Sequence, residues 1–288
     1  MELYLIVMKM PAVACVKGKD LYRTVSKSLE LIKDEIRPKK HVLIKPNMVS
    51  AENQLSATHV EHVKALADFF EGKCDKIIVA ESTALGSTED GFRNFGYDRL
   101  KGVELINLDK EEHVKVGIFD SKGKKLHINV SKMLMDKKNF VVSAAKMKTH
   151  DTVVATLSAK NIIMSSMIEK REMHQGYRMT NKNLAKVMKH LHIDLASIDG
   201  INGMEGNGPV DGTAASAGCV LASTDFLAAD RVALEIMGIY PENVGYLNYI
   251  YGMKLGEFDL GKIKIIGDQI EKKKFILHKT AEKQFVWR

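Results

Sequence analysis

Lys146, Lys148 and His150 stand two residues apart, directly behind the apolar run 140–145. If the segment stays extended, all three point to one side over about 13 Å, because a strand rises about 3.3 Å per residue and alternates its faces. Two ammonium groups and an imidazole on one side repel unless an anion or acidic side chains lie between them. The spacing predicts a clamp for phosphate or carboxylate groups; two surface lysines snorkelling outward would fit it as well. Lys160 and Asn161 follow on a helical stretch where Thr156, Ala159, Lys160 and Ile163 share a face. A lysine among such neighbours either packs amphipathically or aims its charge into the site. There it would depress Lys148 by like-charge repulsion, a route to a basic or nucleophilic amine.

The segment 199–212 is the most specialised. Gly203, Gly206, Gly208 and Gly212 admit φ > 0 and close approach of the backbone to a ligand. Successive N–H groups in such a loop can cradle an anion, which makes Gly206, Asn207 and Gly208 candidate binding residues. The segment is neither a Walker A loop nor a Gly-x-Gly-x-x-Gly turn opening a helix. Asp199 and Glu205, with Asp230 further on, offer the oxygens that a hard divalent cation takes; a long structural turn would carry the same residues. Glu81, ahead of Ser82 and Thr83, is a candidate base or hydroxyl binder, or a helix cap.

These residues share an address. Apolar runs at 42–44, 77–80, 140–145, 195–198 and 219–222 each end in a polar or charged residue: Lys45-Pro46-Asn47, Glu81, Lys146, Asp199 and Ser223. Runs without polar alternation read as strands buried on both faces of a parallel sheet, and the carboxyl edge of such a sheet is where ligands sit. Helical spacing intervenes at 20–36, at 59–71 with Thr58 as N-cap, at 90–94, 156–167, 184–191 and 227–237. The alternation predicts an α/β fold: a mostly parallel, doubly wound, Rossmann-like sheet with helices on both faces. A small antiparallel insertion is expected at 103–135, within one domain over 1–288. The stretch 169–183, which holds His174, reads as a lid or exposed loop, and 200–218 as a long glycine-rich loop. Residues 1–8 carry Glu2 rather than a basic lead and read as a first strand, not a leader.

Length and charge set the wider bounds. The chain has 288 residues and a formal net charge of +7, which suits anionic partners. Part of that charge lies in a basic extension, 262–288, that reads as a solvated face. Cys15, Cys74 and Cys219 form no CxxC pair, so neither a disulfide framework nor a zinc or iron–sulfur site is expected, and a reducing cytoplasm fits. No run approaches the roughly 20 apolar residues of a membrane span.

Taken in chain order, these segments resemble a known family. They are Ile44-Lys45-Pro46-Asn47, Lys146-Met147-Lys148-Thr149-His150, Lys160-Asn161, Asp199-Gly200, Gly203-Met204-Glu205-Gly206-Asn207-Gly208-Pro209, Ser223-Thr224-Asp225 and Ala229-Asp230. The family is the domain of unknown function numbered three hundred and sixty-two, and the resemblance spans roughly residues 40 to 245. Many members carry an appended ferredoxin-like part with cysteine clusters for iron–sulfur centres, which this chain's three isolated cysteines do not supply. The resemblance implies a site at the same residues and names no reaction.

The residues favour an enzyme acting on a small anionic metabolite. Lys45, Asn47, Lys146, Lys160 and Asn161 would bind it, with the glycine-loop residues, and Lys148, His150 and Glu81 would do chemistry. A divalent cation at Asp199, Glu205 and Asp230 is the cofactor this set could take. The alternatives are a nucleic-acid-binding protein or a non-catalytic ligand-binding subunit. Against nucleic acid, the lysines sit at strand ends beside glycines, and aromatics make up only 7% of the chain, too few for stacking surfaces.

Overall fold

The computed structural model describes residues 10–288, so the strand read at 1–8 lies outside the described residues. The first half runs β1 (Ala12–Lys17), α1 (Leu21–Ile32), β2 (His41–Pro46), α2 (Val60–Phe70), β3 (Lys76–Glu81), α3 (Thr88–Asn94), β4 (Val103–Asn107), β5 (His113–Phe119), β6 (Lys125–Ser131) and α4 (Lys132–Met135). The second half runs β7 (Asn139–His150), β8 (Val154–Thr156), α5 (Ser158–Ser165), α6 (Gly176–Met188), β9 (Leu195–Glu205), β10 (Thr213–Ala215), β11 (Cys219–Ser223), α7 (Phe226–Met237), α8 (Gly245–Gly252), β12 (Lys264–Gly267) and α9 (Ala281–Gln284).

The main sheet has the order β12-β1-β11-β9-β7-β2-β3-β4, with β8 and β10 paired to β7 and β9. Along that path every neighbouring pair is parallel except those made by β11, which opposes both β1 and β9. The short connection through β10 brings β11 back beside β9 reversed, since a parallel return would need a longer crossover. The apolar strands are buried on both faces, as their lack of alternation predicts. Leu43, Val141, Ile198 and Leu221 belong to the core under α5, α6 and α7. Val42, Ile44, Val142 and Val220 belong to the core under α1 and α2. The fold is thus α/β, a large mostly parallel sheet flanked by helices, with a small antiparallel sheet of β5 and β6.

Several boundaries differ from expectation. The insertion is narrower than 103–135, because β4 pairs in parallel with β3 and belongs to the main sheet. His59, not Thr58, caps α2, its ring nitrogen accepting the Glu61 N–H at 3.2 Å. Thr58 instead ties the loop after β2 to β7: its hydroxyl donates to the Ala144 carbonyl at 2.8 Å and accepts the Asn47 N–H at 2.8 Å. The stretch 169–183 is not a loop throughout, since α6 begins at Gly176. Its periodicity is hidden because buried asparagines hold positions that apolar residues would otherwise mark. Asn183 pairs with the Phe119 backbone at 3.0 and 2.7 Å, and Asn181 accepts the Tyr246 N–H at 2.6 Å.

The glycine-rich stretch 200–218 is not a loop throughout either: β9 continues to Glu205 and β10, Thr213–Ala215, returns beside it. Glycine there serves close strand packing. A Cβ on Gly203 would lie 2.8 Å from the Ala215 carbonyl oxygen and 3.0 Å from that of Met147, both rigid backbone atoms. Gly203→Ala is therefore expected to cost about 1–3 kcal/mol of stability through overpacking. Urea denaturation checks this, and an unchanged midpoint would show that the two strands can part freely.

Candidate functional site

From β2 the chain builds outward through β3 to β4, with α2 on one face. From β7 it builds the opposite way to β9, with α5 and α6 on the other face. Connections that leave in opposite directions open a crevice at the carboxyl ends of the two strands between them. Both ends carry candidate residues: β2 runs into Asn47, and β7 ends at His150.

A cleft of about 580 Å³ lies there. Its walls include Asn47, Ser82, His150, Asp151, Lys160, Lys170, Arg171, His174, Asn207, Gly208, His278 and Lys279, with Met48, Val49, Leu85, Met164, Pro209 and Val210 as apolar surface. Lys160, Lys170, Arg171 and Lys279 face only Asp151 and Asp211 among the acidic residues of the lining. The excess is cationic even with every histidine neutral.

The cleft is held open by a buried polar wall. Lys45 and Glu81, both fully buried, approach to 3.1 Å. Burial favours the neutral form of each, lowering Lys45 to about 8 and raising Glu81, and their mutual attraction opposes it. Lys45 also donates to Asn161, to its carbonyl at 3.0 Å and its Oδ1 at 2.7 Å. That Oδ1 further accepts from Asn47 Nδ2 at 3.2 Å. Asn47 Oδ1 in turn accepts from Lys148 Nζ at 2.5 Å. Lys45 and Lys148 are thus joined through two asparagines, and segments remote in sequence meet on one rim of the sheet.

This network corrects the expected clamp. Lys146, Lys148 and His150 do share one side of β7, but the two lysines close on protein carbonyls. Lys146 donates to Leu55 and Ala57 at 3.0 and 2.8 Å, and Lys148 to Ser56 at 3.0 Å. They bind the loop 47–58 that forms one cleft wall. Lys45, Glu81, Lys146, Lys148 and Asn161 all lie behind the lining rather than in it. Burial lowers Lys148 well below the ordinary lysine value, reinforced by the charges of Lys146, Lys160 and Lys45. It lowers Lys146 to about 8, with Asp199 opposing.

His150 and Lys160 do reach the cleft. Lys160 sits in the first turn of α5, whose start is fixed from α7: Asp230 accepts the Ser158 and Ala159 N–H groups at 2.8 and 2.9 Å. Its Nζ lies 2.9 Å from His150 Nε2. On the far side of the ring, Nδ1 lies 2.9 Å from Asp151 Oδ1 and 3.0 Å from the Thr152 N–H. Burial lowers Lys160 to about 8, Asp151 opposing. Burial and the Lys160 charge hold His150 neutral, at about 3.

The expected cation ligands are engaged elsewhere. Asp230 caps α5. Asp199 accepts from Ile201 N, Asn202 N and Asn202 Nδ2 at 2.7, 3.0 and 3.1 Å. Glu205 accepts the Ile276 N–H at 2.8 Å. Among the described residues, no three His, Cys, Asp or Glu side chains gather as a metal site. The glycine turn contributes Asn207 and Gly208 to the lining, whereas the Gly206 N–H is engaged with the Ile276 carbonyl at 2.7 Å. A Cβ on Gly208 would fall 2.1 Å from the Thr149 carbonyl oxygen, so only glycine lets this turn close onto the end of β7.

Asp151, which follows His150, and four further cleft groups are not marked by the sequence reading. Lys170 and Arg171 lie at the start of the stretch 169–183, where the density of charge after Lys160 is the available signal. Lys170 contacts Ser82 Oγ and the Met167 carbonyl, the latter at 2.9 Å. His278 and Lys279 come from the basic extension, brought in where Ile276 pairs with Glu205 and Gly206. No local pattern marks them.

The family described as Domain of unknown function (DUF362) matches residues 42–235. The thylakoid-associated protein sll1697 of Synechocystis sp. is 27% identical over 229 residues, which are 77% of this chain and 70% of that protein. Two solved structures are similar at low identity. A Thermotoga maritima protein has a TM-score of 0.39 at 13% identity, covering 66% of this chain and 52% of that one. The lactate racemase apoprotein of Thermoanaerobacterium thermosaccharolyticum has a TM-score of 0.48 at 10% identity, covering 76% and 55%. The chain spans little more than half the length of either solved structure. The family match takes in β7, α5, the glycine turn and nearly all of β2, but not the extension that carries His278 and Lys279, and the chain belongs to the DUF362 family.

Proposed function

We propose that this protein is a cytoplasmic enzyme that binds a small phosphorylated or carboxylated metabolite in the cleft between β2 and β7. The observation that carries the reading is the convergence of Lys160, Lys170, Arg171 and Lys279 on one recess against Asp151 and Asp211 in the lining and Asp109, which lies 3.8 Å from Lys170 Nζ. A low-dielectric recess strengthens attraction for an anion and excludes competing water. Its volume of about 580 Å³ suits a metabolite, within the roughly 300–1,000 Å³ usual for such pockets. The apolar surface of Met48, Leu85, Met164 and Val210 would take the uncharged part of the molecule.

The titration of Lys160 sets a pH signature. Its ammonium persists below about 8 and is lost above it, so anion affinity should be flat below that pH and fall as pH rises through it. Where only the ammonium form binds, the fall approaches about tenfold per pH unit. Burial lowers Lys170 as well, with Asp109 and Glu81 opposing. Sulfate, which does not titrate in this range, is the probe, and calorimetry between pH 6 and 10 is the measurement. An affinity that rises with pH, or stays flat through 9, would remove Lys160 from the binding site.

A further inference from the structure

We propose that Lys160 is a covalent amine, and that the cleft takes carbonyl-bearing carboxylates such as 2-oxo acids, which Lys160 captures as an imine. The proposal rests on the anion-binding reading, since a carboxylate must first be held by the cationic lining, and it adds a reaction to it. Two lysines had the makings of such a group. Lys148 is sealed, with no exposed surface and its Nζ turned to Asn47 Oδ1 at 2.5 Å and the Ser56 carbonyl at 3.0 Å. Lys160 lines the cleft and has a proton partner at 2.9 Å in His150 Nε2.

The geometry around His150 supports both protonation states that the chemistry needs. When Nδ1 accepts the Thr152 N–H, the ring proton resides on Nε2 and points at Lys160 Nζ, which must then be a neutral amine with a free lone pair. When Nδ1 donates to Asp151 Oδ1, Nε2 is free to accept a proton from the Lys160 ammonium. Asp151, itself in the lining, stabilises the imidazolium that forms in transit. Lys170 and Arg171, also in the lining, supply cations for the carboxylate.

The steps balance without an added oxidant or reductant. The Lys160 ammonium gives one proton to His150, an uphill transfer from about 8 to about 3 that is eased because Lys160 loses the charge that disfavours the imidazolium and Asp151 favours it, and the freed lone pair attacks the carbonyl carbon. The carbonyl π pair moves to oxygen, which takes the proton back from His150. Nitrogen then yields a second proton to His150, which passes it to the hydroxyl. The oxygen leaves as water and the nitrogen lone pair closes the C=N bond. Ammonium plus carbonyl gives protonated imine plus water, and His150 ends as it began.

The test incubates the full chain with pyruvate and sodium cyanoborohydride, which reduces an imine to a stable secondary amine, and maps the adduct by peptide mass spectrometry. The expected result is one dominant adduct on Lys160, at least tenfold above any other lysine, suppressed by excess sulfate and slowed at least tenfold in His150→Gln. Mapping is done on the unmodified chain, so the outcome does not depend on a Lys160 variant folding. Sulfate binding by calorimetry runs in parallel. Sulfate bound at the cleft with no adduct on Lys160 overturns the imine and leaves the anion reading standing. An adduct confined to exposed lysines also overturns it, and absence of both sulfate binding and adduct overturns both readings.

Discussion

Lys45→Met is expected to destabilise the protein by about 3–5 kcal/mol, because it strands a buried carboxylate. Glu81 has no exposed surface, and Lys45 at 3.1 Å is its cationic partner. Without that partner, Glu81 either stays ionised in a low-dielectric site or takes up a proton. Protonating an ordinary glutamate at pH 7 costs about 4 kcal/mol, so neither route is cheap. The sign with pH follows from linkage. In the variant, the Glu81 pKa in the folded state is raised further above its unfolded value. The penalty is therefore smallest below the unfolded pKa and grows as pH rises above it. Urea denaturation at pH 4.5 and pH 7 measures both parts. The double variant Lys45→Met/Glu81→Leu should regain most of the loss, since replacing both charges removes the stranded group. A single variant as stable as the parent at pH 7 would mean that the pair contributes nothing to the wall.

Lys160→Met should produce the opposite combination, with binding lost and stability gained. Lys160 is 5% exposed, and its neighbours include the like charge of Lys45. Lowering a lysine from 10.5 to about 8 corresponds to roughly 3 kcal/mol of native-state cost at neutral pH, an upper bound on what removing the charge would recover. Methionine fills similar volume without the desolvation penalty. Sulfate affinity should fall at least tenfold, while the urea midpoint rises. A residue kept for packing alone would lower the midpoint when changed, and one kept for surface charge would alter neither quantity. The paired readout separates a binding lysine from both.

The strands were legible because burial on both faces leaves continuous apolar runs, and the residues ending those runs were legible as an edge. Which of them face open space was not. Alternation along β7 places Lys146, Lys148 and His150 on one side, yet it says nothing of the loop 47–58 that folds over the first two. The same limit made Asp230 resemble a metal ligand, when its carboxylate caps a helix more than sixty residues earlier in the chain. Glycines suggest loop because conformational permissiveness is the commoner reason for them. At Gly203 the reason is instead the backbone of Ala215 and Met147 pressing from two strands. His278 and Lys279 needed the tail to be docked before they meant anything.

The central claim is that the recess between β2 and β7 holds an anion through Lys160 and Lys170. Calorimetric titration of sulfate at pH 7 into the parent protein and into Lys160→Met/Lys170→Met tests it most directly. Saturable one-to-one binding is expected in the parent, disappearing in the double variant while the fold survives. Equal binding by both proteins, or none by the parent, would contradict it.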